Sequence, residues 1–223
     1  YLYSQRIHKV DTVVLTHPHP DHLSGLIYIL NNFGVRNFWK TDVPIEVDIF
    51  PQWEKAIRDN RINPVLFSSQ SPEMNIKGVR LKALWPPAHI SGSLSSLSYE
   101  GVNDSSLVLK ITFGKISFLV PGDISVEIEK QLVASGADLK SDVLMIPHHG
   151  SIHSSSHEFV RAVGCRWAIV SAGKANVFRH PHPAIVQRYR DAGAEILSTA
   201  QHGAVTLTTD GNNLRAESYI KTM

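Results

Sequence analysis

The sequence predicts an α/β domain built from mixed sheets and helices. Short apolar, β-branched runs such as 10–15 and 116–120 alternate along the chain with longer stretches whose apolar residues recur at helical spacing. Four of the predicted strands run directly into clusters of histidine, aspartate, asparagine and serine. The breaks between elements carry Gly, Pro, Asn or Ser, and no linker or internal repeat divides the chain, so residues 1–223 read as one domain.

Composition sets loose bounds. At 223 residues the chain can bury a core without disulfides, and its one cysteine, Cys165, excludes a disulfide within the chain. A hydrophobic fraction of 43% is that of an ordinary soluble domain. No run approaches the roughly 18 apolar residues of a membrane-spanning helix, and no signal-peptide pattern is visible at the start. A formal charge of +2 is too small to imply nucleic acid by itself. The twelve histidines matter through their clustering.

The first strand, 10–15, ends in Thr16-His17-Pro18-His19-Pro20-Asp21-His22. The prolines stop it, and alternation in an extended segment lets His17 and His19 meet one cation together. Asp21 and His22 lie past the turn and can face a second. Imidazole with carboxylate suits zinc or manganese, and two nearby metals suit hydrolysis. Loop histidines satisfied by local hydrogen bonds are the blander reading; four ligand-type residues in six positions argue against it.

Leu23, Leu26, Ile27, Leu30 and Phe33 then recur at helical spacing, closed by Asn31, Asn32 and Gly34. A strand at 35–39 follows, then a helix at 48–60 with Trp53, Ala56 and Ile57 on one face, and strands at 63–68 and 79–84 separated by a polar turn at 71–73. Residues 88–101, rich in Ser and Gly, read as a loop carrying His89, an exposed histidine. Asn103-Asp104-Ser105-Ser106 leads into a strand at 107–113, which Gly114-Lys115 turns back through 116–120 as a hairpin.

That returning strand ends in Pro121-Gly122-Asp123, which puts a carboxylate at a strand end, to bind metal or to cap a helix at 124–134. A strand at 142–146 ends in Pro147-His148-His149-Gly150-Ser151. Adjacent histidines on a turn cannot point the same way, so at most one binds metal while its neighbour meets substrate. Ser154, Ser155 and Ser156 can cap the helix of Phe159, Val160 and Val163 or offer donors to an anion at its start, and His153 and His157 read as surface residues. A strand at 166–170 ends in Ser171-Ala172-Gly173, followed by Asn176 and His180-Pro181. A helix at 184–192, a strand at 195–198 and a hairpin over 203–220 close the chain.

The motif of 17–22 resembles the signature of the metallo-β-lactamase superfamily, H-x-H-x-D-H after a buried strand. That resemblance implies an αββα sandwich, two mixed sheets with helices outside, and two metals at one sheet edge bridged by Asp123. The later motifs resemble one branch, the metallo-β-lactamase-like domain of ComEC-type DNA-internalisation proteins of bacterial competence. They are 15–22 with Ser24-Gly25-Leu26, the run 103–109, Pro121-Gly122-Asp123-Ile124, the turn 147–151 with its serine tail, and Ser171, Gly173, Asn176 and His180-Pro181.

The branch implies a metal-dependent nuclease acting on DNA during uptake. Two divalent ions, zinc or manganese, would be held by His17, His19, Asp21, His22, Asp123 and His149. Asp21, His148 and His180 would be catalytic, and Asn103, Asp104, Ser106, Ser151, Ser171 and Asn176 would face substrate. Resemblance to a phosphorylcholine-esterase branch gives the metal to His149 and places His148 over the phosphate. The implied partners are single-stranded DNA and the channel-forming membrane domain of the same protein, with no small-molecule organic cofactor; the chain would be a soluble domain of a bacterial inner-membrane protein.

The sequence departs from the pattern twice. Asn103, Asp104 and serines stand where most hydrolases of the superfamily supply a third histidine, so the first site is weaker, uses Asp104, or prefers manganese. The strands expected before the motif and the channel segments are missing, so the chain reads as a fragment. A phosphorylcholine-esterase-like phosphodiesterase, a lactamase-like or thioester hydrolase, and an inert structural or DNA-guiding module stay open beside the nuclease.

Overall fold

The computed structural model describes residues 2–43, 50–88 and 99–220; His89 and the start of the helix expected at 48 lie outside them. The chain divides into two units, Tyr1–Ser71 with Pro86–Leu107 and Pro72–Trp85 with Val108–Met223.

In the first unit, β1 (Lys9–Val14), β2 (Gly34–Lys40) and β3 (Pro64–Leu66) form a parallel sheet in that order. Parallel neighbours need crossovers, which α1 (Pro20–Asn32) and α2 (Phe50–Asp59) supply. Leu23 and Leu30 of α1 and Trp53 and Ala56 of α2 pack with Val13, Leu15 and Phe38. Leu23 and Phe38 are wholly buried, each contributing about 1.5–3 kcal/mol by burial. Past β1, Leu15 N–H still donates to the Trp39 carbonyl (2.9 Å), so the motif leaves the sheet only at Thr16. A short α3 (Tyr99–Asp104) precedes Leu107, whose N–H donates to the Thr16 carbonyl (2.9 Å).

The second unit holds a seven-stranded sheet in the order β10-β9-β8-β7-β6-β5-β4. These are β4 (Met74–Ile76), β5 (Val79–Trp85), β6 (Val108–Phe113), β7 (Ile116–Val120), β8 (Val143–Met145), β9 (Trp167–Val170) and β10 (Glu195–Ser198). Strands β4 to β7 pair antiparallel, and β7 to β10 parallel. Helices α4 (Val126–Ala134), α5 (His157–Val163) and α6 (Pro183–Asp191) cover one face through Ile128, Leu132, Phe159, Val163, Ile185 and Tyr189, against Leu119, Leu144, Ala168 and Val170. Val143, Trp167 and Ile169 point the other way, onto the hairpin of β11 (Val205–Thr209) and β12 (Leu214–Ser218). Covered on both faces, all four residues of β9 are buried, as expected of a parallel strand.

The mixed α/β class with several sheets is the one the sequence predicts. Strand β10 falls where expected, and α4 begins two residues later than expected. Three short elements stand where the sequence reads as loop or turn: β4, the six-residue α3, and α7 (Thr199–His202). Among the described residues no helix is long and apolar enough to cross a membrane.

Candidate metal centre

In the first unit, β1 and the Leu15–Trp39 bond deliver His17 and His19 at the end of a buried strand, and both rings are buried, 1% and 4% exposed. The His17 ring centroid lies 4.8 Å from that of His19 and 4.1 Å from that of His22. Two buried imidazoles packed against a third, half-buried one are costly unless their nitrogens are used. The hydroxyls of Thr16 and Ser106 each lie 3.2 Å from His17 Nδ1, which turns Nε2 away as the nitrogen available to a metal. Pro20 starts α1 and Asp21 sits exposed in its first turn, where the helix N-terminus favours a carboxylate; Asp21 Oδ2 lies 3.8 Å from His22 Nε2.

Ser106 is 0% exposed, so its hydroxyl orients His17 and does not face substrate, which corrects the expectation of a substrate contact. Asn103 is also buried, at 4%, and its Oδ1 accepts no hydrogen bond among the described residues. Asp104 is half-buried at the end of α3.

In the second unit three adjacent parallel strands end side by side. Strand β7 leads to Asp123, β8 to a single 3-10 turn at Pro147–Gly150, and β9 to Ser171. Topology therefore gathers three of the landmarks at the C-terminal ends of neighbouring strands, the usual place for a site in an α/β sheet. His148 N–H donates to the Gly122 carbonyl (3.1 Å) and ties the turn to the Gly-Asp corner. Both histidines have left-handed backbone, φ 49° and 54°, and their ring planes stand 72° apart with centroids 6.5 Å apart.

His149 Nδ1 lies 2.7 Å from the Ser171 carbonyl oxygen. A carbonyl only accepts, so Nδ1 carries the proton, and in the neutral ring Nε2 carries a lone pair. That Nε2 lies 3.5 Å from Asp123 Oδ2, and Asp123 is itself 4% exposed. A lone pair and a carboxylate oxygen facing each other at this distance suit a cation between them, and the carbonyl–imidazole–metal relay has this arrangement. Each unit's donors thus fit a divalent metal ion: imidazoles oriented by hydroxyls in the first, and an imidazole oriented by a carbonyl with a buried carboxylate beside it in the second.

His148 turns instead toward His180, ring centroids 5.9 Å apart. Burial, then the neighbouring His148 and His149, push the His180 pKa below its ordinary value, while Asp123 pulls it back. Asn176 holds His180 in place: its amide N donates to the carbonyls of Gly173 (2.9 Å) and His180 (2.7 Å), and its Oδ1 accepts from His180 N–H (2.9 Å).

The serine tail is structural. Ser154 Oγ is placed to donate to the carbonyls of Pro147 and Ser151, both at 3.0 Å, and Ser156 Oγ caps α5 by accepting from Phe159 N–H (3.3 Å). Ser154 and Ser155 are 0% exposed and Ser151 is 3% exposed, so the expected roles of the tail in holding an anion and of Ser151 in binding substrate are corrected.

Sequence reading missed the groups that hold this tail. The wholly buried Glu129 accepts the N–H groups of Ser155 and Ser156 (2.6 Å for Ser156), Arg188 donates to the Ser155 carbonyl, and Tyr189 O–H donates to Ser155 Oγ (3.0 Å). Burial raises the Glu129 pKa above the usual range despite those donors. The available signal was a carboxylate between Ile128 and Leu132 on the apolar side of α4. His153 and His157 are exposed, as expected.

Comparison with known proteins places the chain. The profile of the metallo-beta-lactamase superfamily matches residues 4–192, and the chain belongs to that superfamily, whose members are in general metal-dependent hydrolases. More particularly, it is 29% identical over 207 residues to ComE operon protein 3 of Bacillus subtilis, covering 92% of this chain and 25% of that protein. It is 37% identical over 116 residues to competence protein ComA of Neisseria gonorrhoeae, covering 52% of this chain and 17% of that one. The chain therefore spans a quarter or less of these relatives. Among solved structures it resembles the metallo-beta-lactamase fold protein YhfI from Bacillus subtilis, with a TM-score of 0.52 at 14% identity over 85% of this chain and 74% of that one, a likeness of fold alone.

Proposed function

We propose that this chain is the nuclease part of a DNA-uptake protein, hydrolysing phosphodiester bonds of single-stranded DNA with two divalent ions, zinc or manganese. The competence relatives support the setting, with the longer protein's membrane channel as partner. The observation that carries the metal reading is the His149 ring, fixed by the Ser171 carbonyl so that Nε2 faces the Asp123 carboxylate.

His17, His19, Asp21, His22, Asp123 and His149 hold the ions. Bound there, such ions supply a water made acidic enough to attack phosphorus near neutral pH. The remaining chemistry falls to the chain. His180, whose pKa burial lowers, donates one N–H to a non-bridging phosphoryl oxygen, where it offsets developing charge. His148 hands a proton to the leaving sugar oxygen as the P–O bond breaks. Asn176 keeps His180 beside it, and Asp104 and the exposed Ser171 border substrate. Nonspecific affinity is modest and weakens with salt, because the chain's net charge is only +2.

The test is metal content of the purified protein together with rates on single-stranded DNA, bis-p-nitrophenyl phosphate and nitrocefin. Metal-dependent cleavage of DNA and of the phosphodiester, with nitrocefin untouched, is expected. Nitrocefin turnover alone would mean a lactamase-like enzyme, and metal-loaded protein with no turnover at all would mean an inert module.

A further inference from the structure

The loop between β9 and α6 carries two exposed apolar side chains midway, Val177 at 87% and Phe178 at 72% exposure. A lone exposed aromatic is ordinary on a protein surface. Three features set this one apart. Its ring lies nearly parallel to the His180 imidazole, 17° between planes and 5.8 Å between centroids, and His180 in turn lies 5.9 Å from His148. The rings of Phe178, His180 and His148 thus run in series from the loop tip to the residues assigned to the phosphate.

The tip is also held rather than loose. Asn176 clasps Gly173 and His180, and Arg179 N–H donates to the Asn176 carbonyl (3.0 Å). Ala175 and Arg179 sit at φ 57° and 56°, left-handed backbone that non-glycine residues avoid unless the surroundings impose it. Finally, Lys174 and Arg179 are exposed on the same loop and bring cationic groups to an apolar platform.

We propose that Phe178 is a nucleobase-stacking platform that holds the nucleotide next to the scissile phosphate; this deepens the nuclease reading and rests on it. A flat ring needs about 7 Å between the planes on either side of it, twice a van der Waals contact. The Phe178–His180 spacing is shorter, so the base stacks on the open face of Phe178 and extends the series outward. Every base has a π-face, which makes such a contact tolerant of sequence. Lys174 and Arg179 meet the flanking backbone phosphates. Two apolar side chains beside cationic and imidazole groups offer too little apolar area to anchor in a lipid bilayer, and a nucleotide, aromatic at one end and anionic at the other, matches them.

The experiment measures binding of the whole chain, in EDTA so that nothing is cleaved, to a fluorescent oligothymidylate and to an abasic oligonucleotide of the same length. Phe178→Ala should weaken oligothymidylate binding by about 5- to 150-fold and abasic binding far less, while Phe178→Trp should restore affinity and show fluorescence quenching on binding. Equal losses on both probes, or no loss on either, would overturn the platform. So would loss of binding to phosphatidylglycerol vesicles with oligothymidylate binding intact. Wild-type hydrolysis of bis-p-nitrophenyl phosphate, which carries no nucleobase, tests the nuclease reading separately: its absence alongside a Phe178-dependent base preference would sink the enzyme and keep the platform.

Discussion

Two neighbouring histidines of the same chemistry are given different surroundings by backbone alone. At φ 49° and 54°, His148 and His149 splay their rings, one toward His180 and the other toward Asp123. Each such residue costs on the order of 1 kcal/mol or more against ordinary backbone, a cost the surrounding hydrogen bonds must offset. On the proposed function, His149→Ala should lose bound metal. His148→Ala should keep it while turnover falls by about 10²- to 10⁴-fold. Metal stoichiometry and phosphodiesterase rate on both variants decide this, and metal loss from His148→Ala alone would reverse the assignment. The ligand-type residues were legible in the sequence because they crowd into short motifs after apolar runs. The partners that aim them were not. Ser106 reaches His17 across 89 positions and Glu129 reaches Ser156 across 27, and no local pattern records either pairing.

At the scale of elements, the strand ends were legible but their adjacency was not. Apolar runs closed by Gly-Asp, His-His-Gly and Ser-x-Gly mark β7, β8 and β9, yet only pairing makes them parallel neighbours. The six residues of α3 escaped because Tyr99–Asp104 contains Gly101 and has no apolar period, and β4 because three residues are too few to alternate. The contact between the His148–His149 turn and the segment carrying His180 depends on Gly150. Its φ is 84°, and an added Cβ would lie 2.6 Å from Pro181 Cβ and 3.0 Å from its Cα. Gly150→Ala should therefore push His180 away from His148. The expected result is a large fall in kcat with a loss of about 2–8 °C in melting temperature, the equivalent of roughly 1–2 kcal/mol of backbone strain. Gly114→Ala is the control. It is equally left-handed at φ 57° and would press on the Gly211 backbone, at the opposite end of β7 from Asp123. It should lower the melting temperature while leaving the rate per folded molecule unchanged. Equal effects on rate from both variants would remove the argument for Gly150 as a positioning residue.

For the whole molecule, metal should act as a folding ligand. His17, His19 and Asp123 are buried at 1%, 4% and 4%, and groups of this kind are costly to keep from water unless paired or metal-bound. A ligand that binds only the folded chain adds stability by mass action, about 2.7 kcal/mol at a hundred times its dissociation constant. For a chain of this size that is a rise of about 5–10 °C in melting temperature. The expected result is a melting temperature raised by manganese or zinc over that in EDTA. The proposed ligand set draws on both units, His17, His19, Asp21 and His22 from one and Asp123 and His149 from the other. His17→Ala and Asp123→Ala, one substitution in each unit, should each cut the metal-induced rise. A rise that survives Asp123→Ala in full, while His17→Ala abolishes it, would mean that the first unit binds metal for itself. Thermal melts of the wild type and both variants, with metal and with chelator, separate the two outcomes without any measurement of catalysis.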